Sequence, residues 1–417
     1  MKKILLLIFI GLIASTLIFY KFPNLPKHLA FDEVEFSRLA LSLKNKHYIP
    51  YSPLATGHST LYFYIILFSF NIFGITNFAL RFPSAVFGVL SVLIFYLIME
   101  NVFQQLSNRT MKQYLPFIFS LILLSSRWFF NFARFSFEVT FLLFLELTSI
   151  YFFLKANAKK SSIYLIASGI FTGLAFLSYT PGRIFFLLPL SFLVFQLVNP
   201  LTRKQFNKLI IKQLLYFLIP FLIIITPLTL YLFNHVDTRV NQELFLMNHE
   251  MPVSQKITGL WSNISSISLM FDIKGDMNGR HNYPGKPALN PILGILFIAG
   301  LVITVKNWKN PINLFSLFYF LLSILPALMT YPWENPNMLR TYTVLPSVVF
   351  FIGSAIYNLD KVLSKLLFNK NKLVIYFLLF VILLSSFYEL RTYFKYQTMV
   401  FGGAFNVKES LPKAIKL

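Results

Sequence analysis

The chain has 417 residues, of which 56% are hydrophobic and only 12% charged, and its mean hydropathy is +0.66. A water-facing surface needs far more charge, so a soluble globule is excluded, no nucleic-acid partner is expected, and a polytopic, all-α membrane protein is implied. The formal net charge of +22 has two candidate causes: cytoplasmic lysines that set orientation, or cationic sites for an anionic ligand. The absence of cysteine leaves carboxylates, histidines and arginines as the available chemistry.

Lys2 and Lys3 precede an apolar run, Ile4 to Tyr20, with no convincing small-x-small cleavage site. It predicts a retained first membrane helix with its N-terminus inside. A polar segment from Lys21 to Gly57 follows and holds Phe31-Asp32-Glu33-Val34-Glu35-Phe36. Three carboxylates at a membrane surface are expensive; they read either as a solvated turn or as a site. Phe36, Leu39, Ala40 and Leu43 are spaced for a short amphipathic helix along the membrane face, with the acids at its N-terminal end, where the helix dipole favours them.

Ser59 to Ile75 is apolar, short and aromatic, and about ten further apolar segments lie beyond it, from Arg81–Asn101 to Leu373–Ser386. The loops between them alternate in kind. One set is lysine-dominated and contains Arg109, Lys112, Lys155, Lys159, Lys160, Arg203, Lys204, Lys306, Lys309, Lys361 and Lys365. The other holds the acids and prolines, and its short members carry Arg127, Arg134, Arg183 and Arg340 without lysine. If Ser59 to Ile75 does not cross, every lysine loop lies on the side of Lys2 and Lys3, as the positive-inside rule requires. The expectation is therefore an interfacial or re-entrant Ser59–Ile75, about eleven spans, a cytoplasmic N-terminus and an external face carrying Asp32.

Orientation explains the lysines but not the external arginines. An arginine at a helix end can snorkel to headgroups, yet its fixed fork also matches phosphate oxygens. Glu146 falls mid-span and reads as a structural hydrogen-bonding group, whereas Glu138, two turns nearer the outer face, is the better candidate for a site. The external loop from Asn234 to Asn290 is long enough to cover a site. Its Gly275–Pro287 part is a succession of turns bearing Arg280, His281 and Lys286. His58 or His281 could join a carboxylate at a metal, although no ligand spacing is diagnostic.

The order of motifs resembles the C-type (GT-C) membrane glycosyltransferases, in particular the protein O-mannosyltransferase and lipid A aminoarabinose transferase group. The resemblance rests on the external Asp32-Glu33 pair, the His58-led aromatic helix, Arg81-Phe82-Pro83-Ser84-Ala85, Ala133-Arg134-Phe135-Ser136-Phe137-Glu138, Ser178-Tyr179-Thr180-Pro181-Gly182-Arg183, the Gly275–Pro287 loop and Asn335-Pro336-Asn337-Met338-Leu339-Arg340. It implies a GT-C-like bundle with interfacial helices in the first external loop. It also implies a sugar donor on a polyprenyl phosphate, with Asp32 as base and Glu33 as its partner, positioning substrate or a metal where one is used. Arg81, Arg134 and Arg340 become candidates for the donor phosphate. Relatives usually show His-Pro-Pro or Lys-Pro-Pro where this chain has His58-Ser59-Thr60, so the two prolines are missing here.

The chemistry fits these residue types independently, since glycosyl transfer needs a base for the incoming hydroxyl and cations for the leaving phosphate. The expectation is one membrane domain over residues 1–390, with loops 21–80 and 234–290 forming the site, and a short external tail over 391–417. The enzyme would sit in the cell membrane among its lipids. It would transfer sugar with inversion to a lipid, glycan or protein acceptor at the external face, with metal dependence open. The alternative is a secondary transporter or lipid flippase, but no matched interrupted helices pair the two halves.

Overall fold

The computed structural model describes residues 2–103, 109–159, 161–198, 200–366 and 371–416. Helices α1 (Lys2–Phe19), α2 (Phe31–Ser42), α3 (Leu61–Phe73), α4 (Asn77–Phe103), α5 (Arg109–Ser125), α6 (Arg127–Phe132) and α7 (Glu138–Lys159) form the first half. Then come α8 (Ser162–Phe176), α9 (Leu187–Val198), α10 (Pro200–Asn234), α11 (Thr238–Glu243), α12 (Val253–Met270), α13 (Pro291–Lys306), α14 (Pro311–Leu328), α15 (Leu345–Leu366) and α16 (Asn371–Arg391). A π-helical turn, Thr392–Gln397, leads into α17 (Thr398–Ala404) and α18 (Leu411–Ala414). The strands β1 (Tyr51–Ser52) and β2 (His58–Ser59) make a small antiparallel ribbon.

Helix starts follow local chemistry. The side chains of Asn290 and Asn310 cap α13 and α14, accepting from Leu293 N, and from Ile312 N and Asn313 N. Pro291 and Pro311 occupy the first turns, where no backbone N–H is needed. Among the described residues six helices are long and apolar enough to cross a bilayer, and six shorter apolar helices accompany them. Helix α3 has 13 residues, about 20 Å, which is short of a hydrocarbon core of roughly 30 Å. Its Tyr62, Phe63, Ile66 and Phe70 are buried while Phe68 and Ile72 are exposed, so one face packs and the other does not.

Burial sorts the bundle into centre and rim. The apolar windows of α7 and of Tyr342–Leu359 are 72% and 78% buried, whereas that of Ile211–Asn234 in α10 is only 17% buried, so α10 lies at the rim. It packs on α8 through Gly169 and Gly173, where an added Cβ would stand 2.2 Å from the Phe217 carbonyl oxygen and 2.8 Å from Ile224. Two glycines four apart give the close helix approach that replaces a hydrophobic driving force inside a membrane. Glu146, at the centre, accepts a hydrogen bond from the Tyr319 hydroxyl at 2.6 Å. It is buried within the bundle.

Candidate active site

The acidic cluster divides at the first turn of α2. Glu33 is completely buried and accepts from the Ala30 backbone N–H at 3.1 Å, which caps the helix. Its two oxygens also take Nε and Nη2 of Arg81 at 2.8 Å each, and Ser136 N at 3.1 Å. The remaining Arg81 donors reach the carbonyls of Pro23, Pro26 and His28 at 2.5 to 2.8 Å. Glu33 and Arg81 therefore bind α2 to α4 and to the segment entering α7. Asp32 is turned away from them, with a side chain 36% exposed that pairs with Arg280.

Arg134 is likewise fully buried. Its guanidinium donates to the carbonyls of Leu17, Ile18 and Leu25 and lies over the rings of Phe130, Tyr393 and Phe394. Neither Arg81 nor Arg134 lines the cavity described next. Both differ from the expectation of phosphate-binding arginines, because the last turn of α1 and the proline-rich segment after it present carbonyls to their guanidinium groups.

A cavity of about 650 Å³ opens beside α2 and is bordered by Asp32, His58, Arg239, Arg280, His281 and Arg340. Ala55 and Thr56, in the turn joining β1 to β2, and His58 at the start of β2 also line it. Gly57 there has φ 100°, and a Cβ would meet Thr238 Oγ1 and Tyr51 Oη at 2.2 Å. Ala55 and Thr56 also hold left-handed φ values of 54° and 71°, strain of the kind that functional loops store. This turn leads into His58, which immediately precedes the two positions, Ser59 and Thr60, where the prolines are missing. Its Nδ1 lies 2.5 Å from Glu138 Oε1, and the Arg239 guanidinium is 2.9 Å from both ring nitrogens. Phe36 and Phe63 pack edge-on against the imidazole.

The walls are tied by charge. Arg239 pairs with Glu243 at 3.2 Å, and Glu243 with Arg340 at 3.2 Å. Arg340 also pairs with Glu334. Asp276 Oδ2 accepts the Met338 N–H at 2.8 Å and lies 2.8 Å from His281 Nδ1, which joins the Gly275–Pro287 turns to the Asn335–Arg340 segment. Tyr179 lies beneath Arg239, 5.1 Å from ring to guanidinium. Burial pushes its phenol up to about 12, so it stays neutral there. Arg183 stands outside this ring and pairs with Asp237, the N-cap of α11. Burial raises the Asp237 pKa, but the Arg183 charge and hydrogen bonds from Arg183, Val240 N and Tyr51 outweigh it and hold the carboxyl below its usual range.

Of the residues singled out by sequence, Asp32, His58, Glu138, Arg280, His281 and Arg340 thus converge. Glu33, Arg81 and Arg134 form a buried brace behind them, and Arg183 lies to one side. Arg239, Glu243 and Asp276 complete the site without having been selected. Arg239 bears the same signal as the other arginines of the lysine-free loops, a lone guanidinium just past an apolar helix, but is separated from His58 and Tyr179 by whole helices in sequence. Among the described residues no three His, Asp or Glu side chains converge as a ready metal cage, and Asp276 and His281 are turned onto each other.

Residues 57–231 match the family model described as dolichyl-phosphate-mannose-protein mannosyltransferase. That segment runs from the ribbon through α10. Among curated proteins no sequence matches significantly. The fold is similar to that of the archaeal oligosaccharyltransferase AglB from Archaeoglobus fulgidus in complex with an inhibitory peptide and a dolichol-phosphate, with a TM-score of 0.55 and 16% identity. The match covers 96% of this chain and 56% of AglB, so the chain spans little more than half that protein's length. ArnT from Cupriavidus metallidurans bound to undecaprenyl phosphate gives a TM-score of 0.54 at 13% identity, over 99% of this chain and 77% of ArnT. In fold over nearly its whole length, and in the matched segment that carries His58, Arg81 and Glu138, the chain resembles the GT-C membrane glycosyltransferases of the O-mannosyltransferase and ArnT kind.

Proposed function

We propose that the chain transfers a sugar from a polyprenyl-phosphate-linked donor to an acceptor hydroxyl at the external membrane face, with Asp32 as base. The carrying observation is the half-exposed carboxylate of Asp32 facing a cavity that also receives Arg239, Arg280 and Arg340. Support comes from the lipid phosphates named in the AglB and ArnT structures, whose fold this chain shares.

In this reading the donor phosphate draws Arg280 away from Asp32, and the freed carboxylate takes the proton of the acceptor hydroxyl. The acceptor oxygen forms its bond to the anomeric carbon from the face opposite the leaving group. The carbon–oxygen bond to phosphate breaks, its electron pair staying on the phosphate, where Arg280 and Arg340 stabilise the added charge. A single displacement inverts the anomeric centre. Glu33 and Arg81 hold α2 in place, and no step is assigned to a metal.

The test is transfer from a radiolabelled polyprenyl-phosphate sugar in proteoliposomes. Asp32→Asn should abolish labelled product while the protein keeps its thermal transition; full transfer by that variant would overturn the reading.

A further inference from the structure

We infer that residues 397–415 are a positioning clamp, holding the Asp32 helix and the Arg280 loop in register across the cavity, with Arg38 and Gln397 as its positioning residues. This rests on the assignment of Asp32 and Arg280 to the reacting site.

On the Asp32 side, Leu29 and Val407 exchange both backbone hydrogen bonds, Leu29 N to Val407 O at 3.2 Å and Val407 N to Leu29 O at 3.1 Å, just before α2 begins. Farther along α2, Arg38 donates to the carbonyls of Ile415 and Ala414 at 3.2 and 3.1 Å, while its other branch bonds Glu35 at 2.6 Å. Leu411 and Phe405 are buried, and Phe405 packs on Phe135 beside the Arg81 guanidinium.

The same segment reaches the opposite wall. The fully buried Gln397 donates from Nε2 to Asn131 Oδ1 at 3.1 Å, and Asn131 Nδ2 donates to the carbonyls of Arg280 and His281 at 2.7 and 3.2 Å. Gly279 lies against α17, where a Cβ would come within 2.8 Å of Val400 and 3.1 Å of Ala404. A π-helical turn places Gln397 on this face; such turns re-aim side chains that a regular helix would carry elsewhere. Both members of the Asp32–Arg280 pair are thus held by one stretch of chain, remote from them in sequence. A reaction that needs its base and its phosphate cation at fixed separation is sensitive to displacements of about 1 Å.

The chain has no cysteine, so Leu29→Cys with Val407→Cys introduces the only two thiols. A hydrogen-bonded antiparallel pair sits about 5.5 Å apart, within disulfide reach. The pair should close quantitatively on mild oxidation in proteoliposomes and keep full transfer; failure to close in the folded protein would overturn the clamp. Arg38→Met and Gln397→Leu should each lower kcat about tenfold while KM for the lipid-linked donor changes less than about twofold, with Arg38→Lys intermediate. Closing the disulfide in the Arg38→Met protein should restore most of kcat. Unchanged kcat in both variants would overturn the positioning role. Activity retained by Asp32→Asn would instead remove the catalytic reading while the disulfide still forms, so the two failures are separable.

Discussion

Glu33 and Arg81 meet in a two-pronged ion pair with Nε–Oε1 and Nη2–Oε2 separations of 2.8 Å, and neither side chain has measurable exposure. Removing one partner would leave the other charged and unpaired in the interior. Glu33→Gln is expected to destabilise the protein by roughly 3–5 kcal/mol, seen as a large drop in the thermal transition in detergent.

Asp32, one residue away, faces the cavity and supports no buried partner. Asp32→Asn should lower kcat by about 10²–10⁴-fold, the range for a general base, with the thermal transition unchanged. The contrast between neighbouring carboxylates is read by running both measurements on both variants.

Gly57 stands at φ 100° with no room for a methyl group. Gly57→Ala should push β2 away from Thr238 and Tyr51, carrying His58 off Glu138, and destabilise the ribbon by about 1–3 kcal/mol. The checks are loss of transfer and faster proteolysis within residues 50–60.

Asp237 carries a lowered pKa from its balance of burial against Arg183. A depressed carboxylate contributes stability that is present above its unfolded pKa, near 3.9, and is lost as pH falls through the lower folded value. Docking of α11 should therefore hold from neutral pH down to about 4 and weaken below it. In Arg183→Met the weakening should begin at higher pH, measured as proteolytic cutting between residues 234 and 250 against pH.

The architecture was legible because its signal is compositional. Repeated apolar runs in a chain so poor in charge imply membrane helices, and the spacing of Phe36, Leu39, Ala40 and Leu43 placed α2 with its buried face. Asp32 was legible from an acidic cluster where acids are rare. The division of labour between Asp32 and Glu33 was not, since it depends on which way adjacent side chains leave a helix and on Arg81 arriving from α4. Arg81 and Arg134 looked like ligand-binding arginines for the same reason: nothing in their local sequence announces that the end of α1 and the turn after it will offer them carbonyls. The segment 391–417, expected as a short external tail, reaches Leu29, Arg38, Asn131 and Phe135 through its described residues, more than 250 positions earlier and beyond the reach of any periodicity.

Helix α10 is held along the Gly169 and Gly173 seam and otherwise lies at the bundle's rim, and only three residues separate its C-terminal end from the helix that carries Arg239. A long rim helix adjusts its tilt to the bilayer around it, and the short 235–237 link ties that adjustment to the helix carrying Arg239 at the cavity wall. The thickness of the surrounding lipid is therefore expected to bear on the site: transfer by the same polypeptide reconstituted in short-chain and long-chain lipids should differ, through the placement of Arg239 against His58.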